Sequence, residues 1–263
     1  MFYLETNGIR AISDQLIKKN LYFIYTSYKV VYELFSGIAT DNEYFKRLPF
    51  ICKLEKVKID WESPRKKMLK AFGINTIDDT DSKRLFEIFN LVINNKDKIV
   101  IEKLLILIKY LVDNDCDICS CVLEANYDDI KDYAKDIKGK PIRDILINDD
   151  YFNPIVQNVT EIEIVNIAKM IADEVKCSYK DLIIKYDGNL DNFIKATIAI
   201  GLKARFSGSP MQKNDGHDFQ HLLYLKKGDI LVSDDKLFKR IEKYCMVNTI
   251  KISEWINEIR KDT

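Results

Sequence analysis

The sequence predicts an α/β protein, a three-layer α/β/α arrangement with a mostly parallel central sheet split by a large helical insertion. Three observations lead there. Short apolar runs followed by helix-spaced stripes occur near both chain ends, and the long middle carries almost only helical spacing. With 9 glycines and 5 prolines in 263 residues, there is also little material for long loops.

Taken in order, Phe2-Tyr3-Leu4 reads as a first strand running into Glu5-Thr6-Asn7-Gly8, after which Ile9, Ile12 and Leu16 recur at helical spacing. Leu21 to Tyr25 reads as a second strand, and Val30, Val31, Leu34, Phe35 and Ile38 as a second helix ending near Gly37. Residues 41–205 read as a helical insertion or subdomain, in which Thr160-Glu161-Ile162-Glu163 has the pattern of a capping box opening a helix through Ile164, Ile167, Ala168 and Ile171. After Ser207-Gly208-Ser209-Pro210 the alternation returns. A helix covers His217 to Leu225, Ile230-Leu231-Val232 is a strand, a helix starts at Asp235, and Met246 to Ile252 is a further strand. Ser253 is placed to cap a last helix through Trp255, Ile256 and Ile259. Residues 1–40 and 206–263 therefore form the α/β core, since strands alternating with helices imply parallel pairing.

Lys+Arg and Asp+Glu both number 41, so no net positive charge advertises nucleic-acid binding, and a phosphate-attracting surface requires local clustering. Cys52, Cys116, Cys119, Cys121, Cys177 and Cys245 lack the density of a small secreted scaffold and read as reduced thiols in a cytoplasmic protein. The longest apolar run, Ile99 to Val112, is broken by Glu102, Lys103 and Lys109 and is too short for a bilayer core of ~30 Å, so no membrane partner is expected.

Ligands of parallel sheets bind at the carboxyl ends of the strands. Glu5 directly follows the first strand, and Ser233-Asp234-Asp235 directly follows Ile230-Leu231-Val232. Glu33 and Asp218 lie on helices, each at the border of an apolar stripe.

Tyr3-Leu4-Glu5-Thr6-Asn7, then Tyr32-Glu33-Leu34-Phe35-Ser36-Gly37, then Asp218-Phe219-Gln220-His221-Leu222, then Leu231-Val232-Ser233-Asp234-Asp235-Lys236-Leu237-Phe238 follow one another along the chain. That series resembles the PIN-like metal-dependent nucleases. The resemblance implies that Glu5, Glu33, Asp218 and Asp235 are the catalytic, metal-binding carboxylates, with Glu5 standing where the family usually has Asp. Asn7, Asp215, Ser233 and Asp234 are the candidates for orienting them. It implies Mg²⁺ or Mn²⁺ as cofactor, since hard carboxylate oxygens suit such ions. The implied activity is hydrolysis of phosphodiester bonds in single-stranded RNA, with single-stranded DNA as second candidate, leaving a 5′-phosphate and a 3′-hydroxyl. A toxin or defence effector of this kind would have an inhibitor protein or a second copy as candidate partner. The alternative is a catalytically degenerate PIN-like interaction module, with Glu5 as its symptom.

Other readings stand beside these. A single acid in a chain with 31% charged residues is usually a solvated surface group, and Asp235 and Ser233 are also natural helix caps. His217-Asp218-Phe219-Gln220-His221 superficially matches a zinc-hydrolase helix, but with Asp for Glu and no third histidine. Cys116, Cys119 and Cys121 would need a fourth ligand for zinc. Arg65-Lys66-Lys67 with Lys70 forms a basic patch suited to phosphate or to a plain solvated face.

Overall fold

A computed structural model describes residues 1–41, 44–95, 101–113, 148–207 and 215–261. Five parallel strands, β1 (Phe2–Leu4), β2 (Ile24–Ser27), β3 (Lys58–Asp60), β4 (Ile230–Val232) and β5 (Asn248–Ile250), form one sheet in the order β3-β2-β1-β4-β5, flanked by helices. β1 is central because it pairs on both sides: Tyr3 sits beside Tyr25 of β2 and beside Leu231 of β4. Tyr3 and Leu4 are fully buried, as expected of a strand covered on both faces.

The chain leaves β1 through α1 (Thr6–Ala11) and α2 (Asp14–Asn20) towards β2, and from β4 through α12 (Lys236–Ile241) towards β5. Connections therefore depart in opposite directions from the β1/β4 pair, which makes the crevice at its carboxyl end the switch point of the sheet. Between β2 and β4 come α3 (Tyr28–Asp41), α4 (Tyr44–Leu54), α5 (Pro64–Ala71), α6 (Thr80–Asn94), α7 (Ile101–Asp113), α8 (Asp149–Val175), α9 (Tyr179–Lys185), α10 (Asp191–Ser207) and α11 (Asp215–Phe219), which passes into a 3₁₀ turn at Gln220–Tyr224. α13 (Ile252–Lys261) closes the described chain. Leu85 of α6, Phe152 of α8 and Phe193 of α10 belong to the same buried cluster as Tyr3 and Val232, so the helices and the sheet share one core.

Several expectations need correction. β3 lies inside the segment read as helical; Lys-Ile-Asp is too short and too charged to show alternation, yet Tyr25, Thr26 and Ser27 pair with it in register. The second strand begins at Ile24 rather than Leu21, because α2 extends to Asn20 and Tyr22 and Phe23 stand in the exposed turn that follows. The stripe Ile9, Ile12, Leu16 spans two helices, divided where Ser13 Oγ accepts the N–H of Leu16. Gly37 does not end its helix. It is buried mid-helix, where the Arg47 guanidinium occupies the space a Cβ would need. Thr160 and Glu163 form no capping box: they lie inside α8, whose cap is Asn148, and Thr160 donates back to the Val156 carbonyl at 2.6 Å. Ser253 lies within α13 rather than capping it; the Asp234 carboxylate accepts the N–H of Ile252 at 3.0 Å.

One lysine fastens the turn that follows the first helix. Lys53 of α4 donates to the carbonyls of Ile9, Arg10 and Ile12, at 3.3, 3.0 and 2.7 Å, around the C-terminus of α1. A cation there satisfies orphan carbonyls and complements the helix dipole. Lys53→Met is expected to cost about 2 kcal/mol, read as a lower midpoint in urea unfolding, and a midpoint equal to the wild type would contradict this role.

Candidate functional site

The carboxyl end of β1 delivers Glu5 directly into the N-terminus of α1. Its Oε2 accepts the N–H of Asn7 at 2.9 Å, so the side chain is fixed as a helix cap. Among the described residues no hydrogen-bond partner meets its buried Oε1, and the residue is only 5% exposed. Burial therefore pushes the Glu5 carboxyl up, with the charge of Glu33 adding to it against the Asn7 amide, His221 and Ser233.

Glu33, one helical turn and a half into α3, is held from several sides. Thr6 Oγ1 donates to its Oε2, His221 Nε2 lies 3.1 Å from its Oε1, and Lys29 Nζ lies 3.7 Å from the same oxygen. Burial alone would raise this carboxyl, but His221, Lys29 and Thr6 outweigh it and hold it at about 2. His221 is in turn fixed from behind, with Nδ1 at 2.7 Å from the buried hydroxyl of Tyr3, which also meets Ser27 Oγ at 2.7 Å. A continuous polar chain thus runs from the end of β2 through β1 and the 3₁₀ turn to α3.

Asp218, on α11, is the opposite case. It is partly buried, and its carboxyl is pushed up to about 7. Burial is the main cause, followed by the charge of Glu33 and, after the opposing pull of His221, that of Asp235. Asp235 itself is exposed and caps α12, accepting the N–H of Leu237 at 2.7 Å, while its own N–H donates to Ser233 Oγ at 3.0 Å. The four acids thus grade from buried Glu5 to exposed Asp235 at one end of the β1/β4 pair, and the charge of Glu33 acts on both Glu5 and Asp218.

Of the orienting candidates, Asn7 acts through its backbone amide, Ser233 Oγ accepts the N–H of Asp235, and Asp234 caps α13. The side chain of Asp215 and the residues Cys116, Cys119 and Cys121 lie outside the described residues. His217 is half-buried rather than exposed, 3.4 Å from Lys29 Nζ. His221 has both ring nitrogens engaged by Tyr3 and Glu33, so the pair is not arranged as a zinc-hydrolase helix. The basic patch is internally neutralised: Arg65 pairs with Glu174, Lys67 with Asp60 and Glu62, Lys70 with Glu62, and Lys66 donates to the Asn75 and Ile77 carbonyls.

Sequence reading missed Thr6, Lys29, Tyr3 and Ser27. Lys29 had a legible signal, the i, i+4 spacing from Glu33. Tyr3 and Ser27 had none, because a hydroxyl inside a strand reads as core or turn until its partner across the sheet is known.

Among the described residues, no three His, Cys, Asp or Glu side chains are gathered tightly enough to enclose a metal ion. The acids at this end of the sheet offer the hard oxygen atoms that a divalent cation takes, and among the described residues no hydrogen-bond partner meets the buried Oε1 of Glu5. No described helix is long and apolar enough to cross a membrane. Comparison with protein-family models, with curated proteins and with solved structures gave no significant match.

Proposed function

We propose that this chain is a PIN-like, Mg²⁺- or Mn²⁺-dependent endoribonuclease. The observation that supports it best is the uncompensated carboxylate at the switch point: Asp218 is pushed up to about 7 chiefly by its burial, with its fellow acids adding to it, the condition that a bound cation relieves. In this reading Glu5, Glu33, Asp218 and Asp235 form the acidic set that holds the ion. When bound, the ion would make a coordinated water a better nucleophile and stabilise charge on the phosphodiester oxygens.

The chain's own residues do the positioning. The Asn7 amide fixes one oxygen of Glu5, Ser233 sets the start of the turn that presents Asp235, and the exposure of Asp234 and Asp235 leaves the site open to a polymer. Single-stranded RNA is the substrate that the sequence resemblance implies, with single-stranded DNA as the second candidate, and a toxin or defence role belongs to the same resemblance. An inhibitor protein or a second copy is the partner it would bring.

A specific observation favours a second reading, a degenerate interaction module. Glu33 is saturated by Thr6, His221 and Lys29, as expected where a cation site has been filled by protein groups. Incubating mixed-sequence single-stranded RNA and DNA with Mg²⁺, Mn²⁺ or EDTA separates the two. The nuclease reading expects cleavage only with metal, reduced roughly 10²-fold in Asp235→Asn. Intact substrate under all three conditions would favour the interaction module.

A further inference from the structure

A concave site of about 300 Å³ is lined by none of the four acids. It forms where three stretches of chain meet: Glu62 with α5, the loop between α9 and α10, and the 3₁₀ turn with the residues that leave it towards β4. Ala71, Leu190, Leu223 and Tyr224 are buried and give it an apolar floor, while Lys70, Asn75 and Lys226 are exposed around it. A small pocket with an apolar base and few polar groups is the general form of a small-molecule site. Its walls are tied to one another. The Tyr224 hydroxyl donates to the Glu62 carbonyl at 2.9 Å, and the Asp187 N–H donates to the Ala71 carbonyl at 3.0 Å.

The polar groups of the lining are out of balance. Both of its carboxylates already accept within the protein: Glu62 from Lys67 at 3.2 Å and from Lys70, and Asp187 from the backbone and side-chain amides of Asn189 at 2.9 and 2.6 Å. An ammonium carries three donors, and Lys70 directs one of them to Glu62. Among the described residues no acceptor meets the Lys226 ammonium or the Asn75 side-chain amide. Lys226 and Lys70 belong to different walls, so two ammoniums with unspent donors border one cavity. What this lining lacks is a compact, multiply charged acceptor.

We propose that the cavity binds a small organic phosphomonoester, with its phosphate at Lys70 and Lys226 and its organic part on the floor of Ala71, Leu190 and Leu223. A phosphomonoester brings about −1.5 to −2 charges near pH 7 and three acceptor oxygens, whereas a carboxylate or an RNA phosphodiester brings a single charge. Lysine takes phosphate as a point charge and needs no fixed fork of donors. The inference goes beyond the nuclease reading and does not rest on it, because the ligand is held by residues outside the acidic set.

The test is calorimetric titration of the full chain in EDTA, which keeps divalent ions from recruiting phosphate elsewhere, with phenyl phosphate and adenosine 5′-monophosphate as probes. At least one of them is expected to bind once per chain. It should bind more tightly than inorganic phosphate, which lacks the organic part, and than phenol or adenosine, which lack the phosphate. Lys70→Met and Lys226→Met are each expected to weaken that binding about tenfold, the scale of one charge-assisted contact. Lys18→Met removes the same charge from α2, outside the lining, and is expected to leave the affinity unchanged. No binding of either probe at millimolar concentration overturns the proposal. So does a phosphate-free compound or inorganic phosphate that binds as tightly as the probe, a folded lysine variant of the lining that binds as the wild type does, or equal weakening in Lys18→Met. Should one lining variant not fold, the other decides.

Discussion

Asp218→Asn is expected to abolish metal-dependent cleavage and, in the same protein, to raise the stability of the metal-free fold. The loss follows from removing a carboxylate of the proposed acidic set, and roughly 10²- to 10³-fold in kcat is the expected scale. The gain follows from the sign of the shift. The Asp218 carboxyl is raised from its ordinary value of 3.8 to about 7, first by burial and then by Glu33 and Asp235, so the folded protein holds a proton that the unfolded chain has released. That contribution is fully present below about pH 4 and is lost as pH rises through 7. Metal-free wild type should therefore lose stability between about pH 4 and 7, by about 1–2 kcal/mol after allowing for solvent screening at a partly exposed group. Asn in its place carries no charge and should flatten that slope. Thermal melts in EDTA across this range check it, and a wild type whose stability rises towards pH 7 while the variant follows in parallel would contradict it.

The largest effect on stability is expected at Trp255. Its side chain is fully buried and packs on Phe2 of the central strand with ring centroids 5.8 Å apart, tying α13 to the sheet. Trp255→Ala should cost about 3–5 kcal/mol through lost burial and the cavity left behind. Trp255 Nε1 is buried without a partner, so the indole contributes through its area alone. Trp255→Phe should accordingly retain most of the stability, losing about 1–2 kcal/mol. Urea unfolding of both variants is the measurement, and equal losses would show that the indole nitrogen has a partner after all.

How much of this is legible in the sequence depends on how local the signal is. β1 and β4 are readable because each is a short apolar run, followed by Glu5 in one case and by Ser233-Asp234-Asp235 in the other, and Glu5 and Asp235 are readable with them. Glu33 and Asp218 are readable as candidates through the order of motifs along the chain. The parallel sheet follows from the alternation at the two ends, but Lys58–Asp60 escapes because three residues, two of them charged, carry no periodicity. Thr160 misleads because a capping-box pattern is blind to whether a helix has already begun, and the helix here starts at the Asn148 cap. The polar chain that ends on Glu33 escapes for a deeper reason. Tyr3, Ser27, His221 and Glu33 are joined across β1, β2, α3 and the 3₁₀ turn, and such a chain exists only once the strand order is fixed.

The same polar chain explains why the acids differ so strongly in environment. Two carboxyls on neighbouring elements, Glu33 at about 2 and Asp218 at about 7, are separated by where the protein has placed its donors, not by their chemistry. Thr6, Lys29 and His221 all serve Glu33 and leave the remaining acids open.

The most direct test of the central claim is the chemistry of the ends produced when the protein cuts a defined single-stranded RNA in Mn²⁺. Hydrolysis at the acidic site predicts 5′-phosphate and 3′-hydroxyl ends that vanish in EDTA. A 2′,3′-cyclic phosphate, or cleavage indifferent to EDTA, would mean that the ribose hydroxyl is the nucleophile, and no cleavage at all would leave the acids without a catalytic role; either contradicts the assignment.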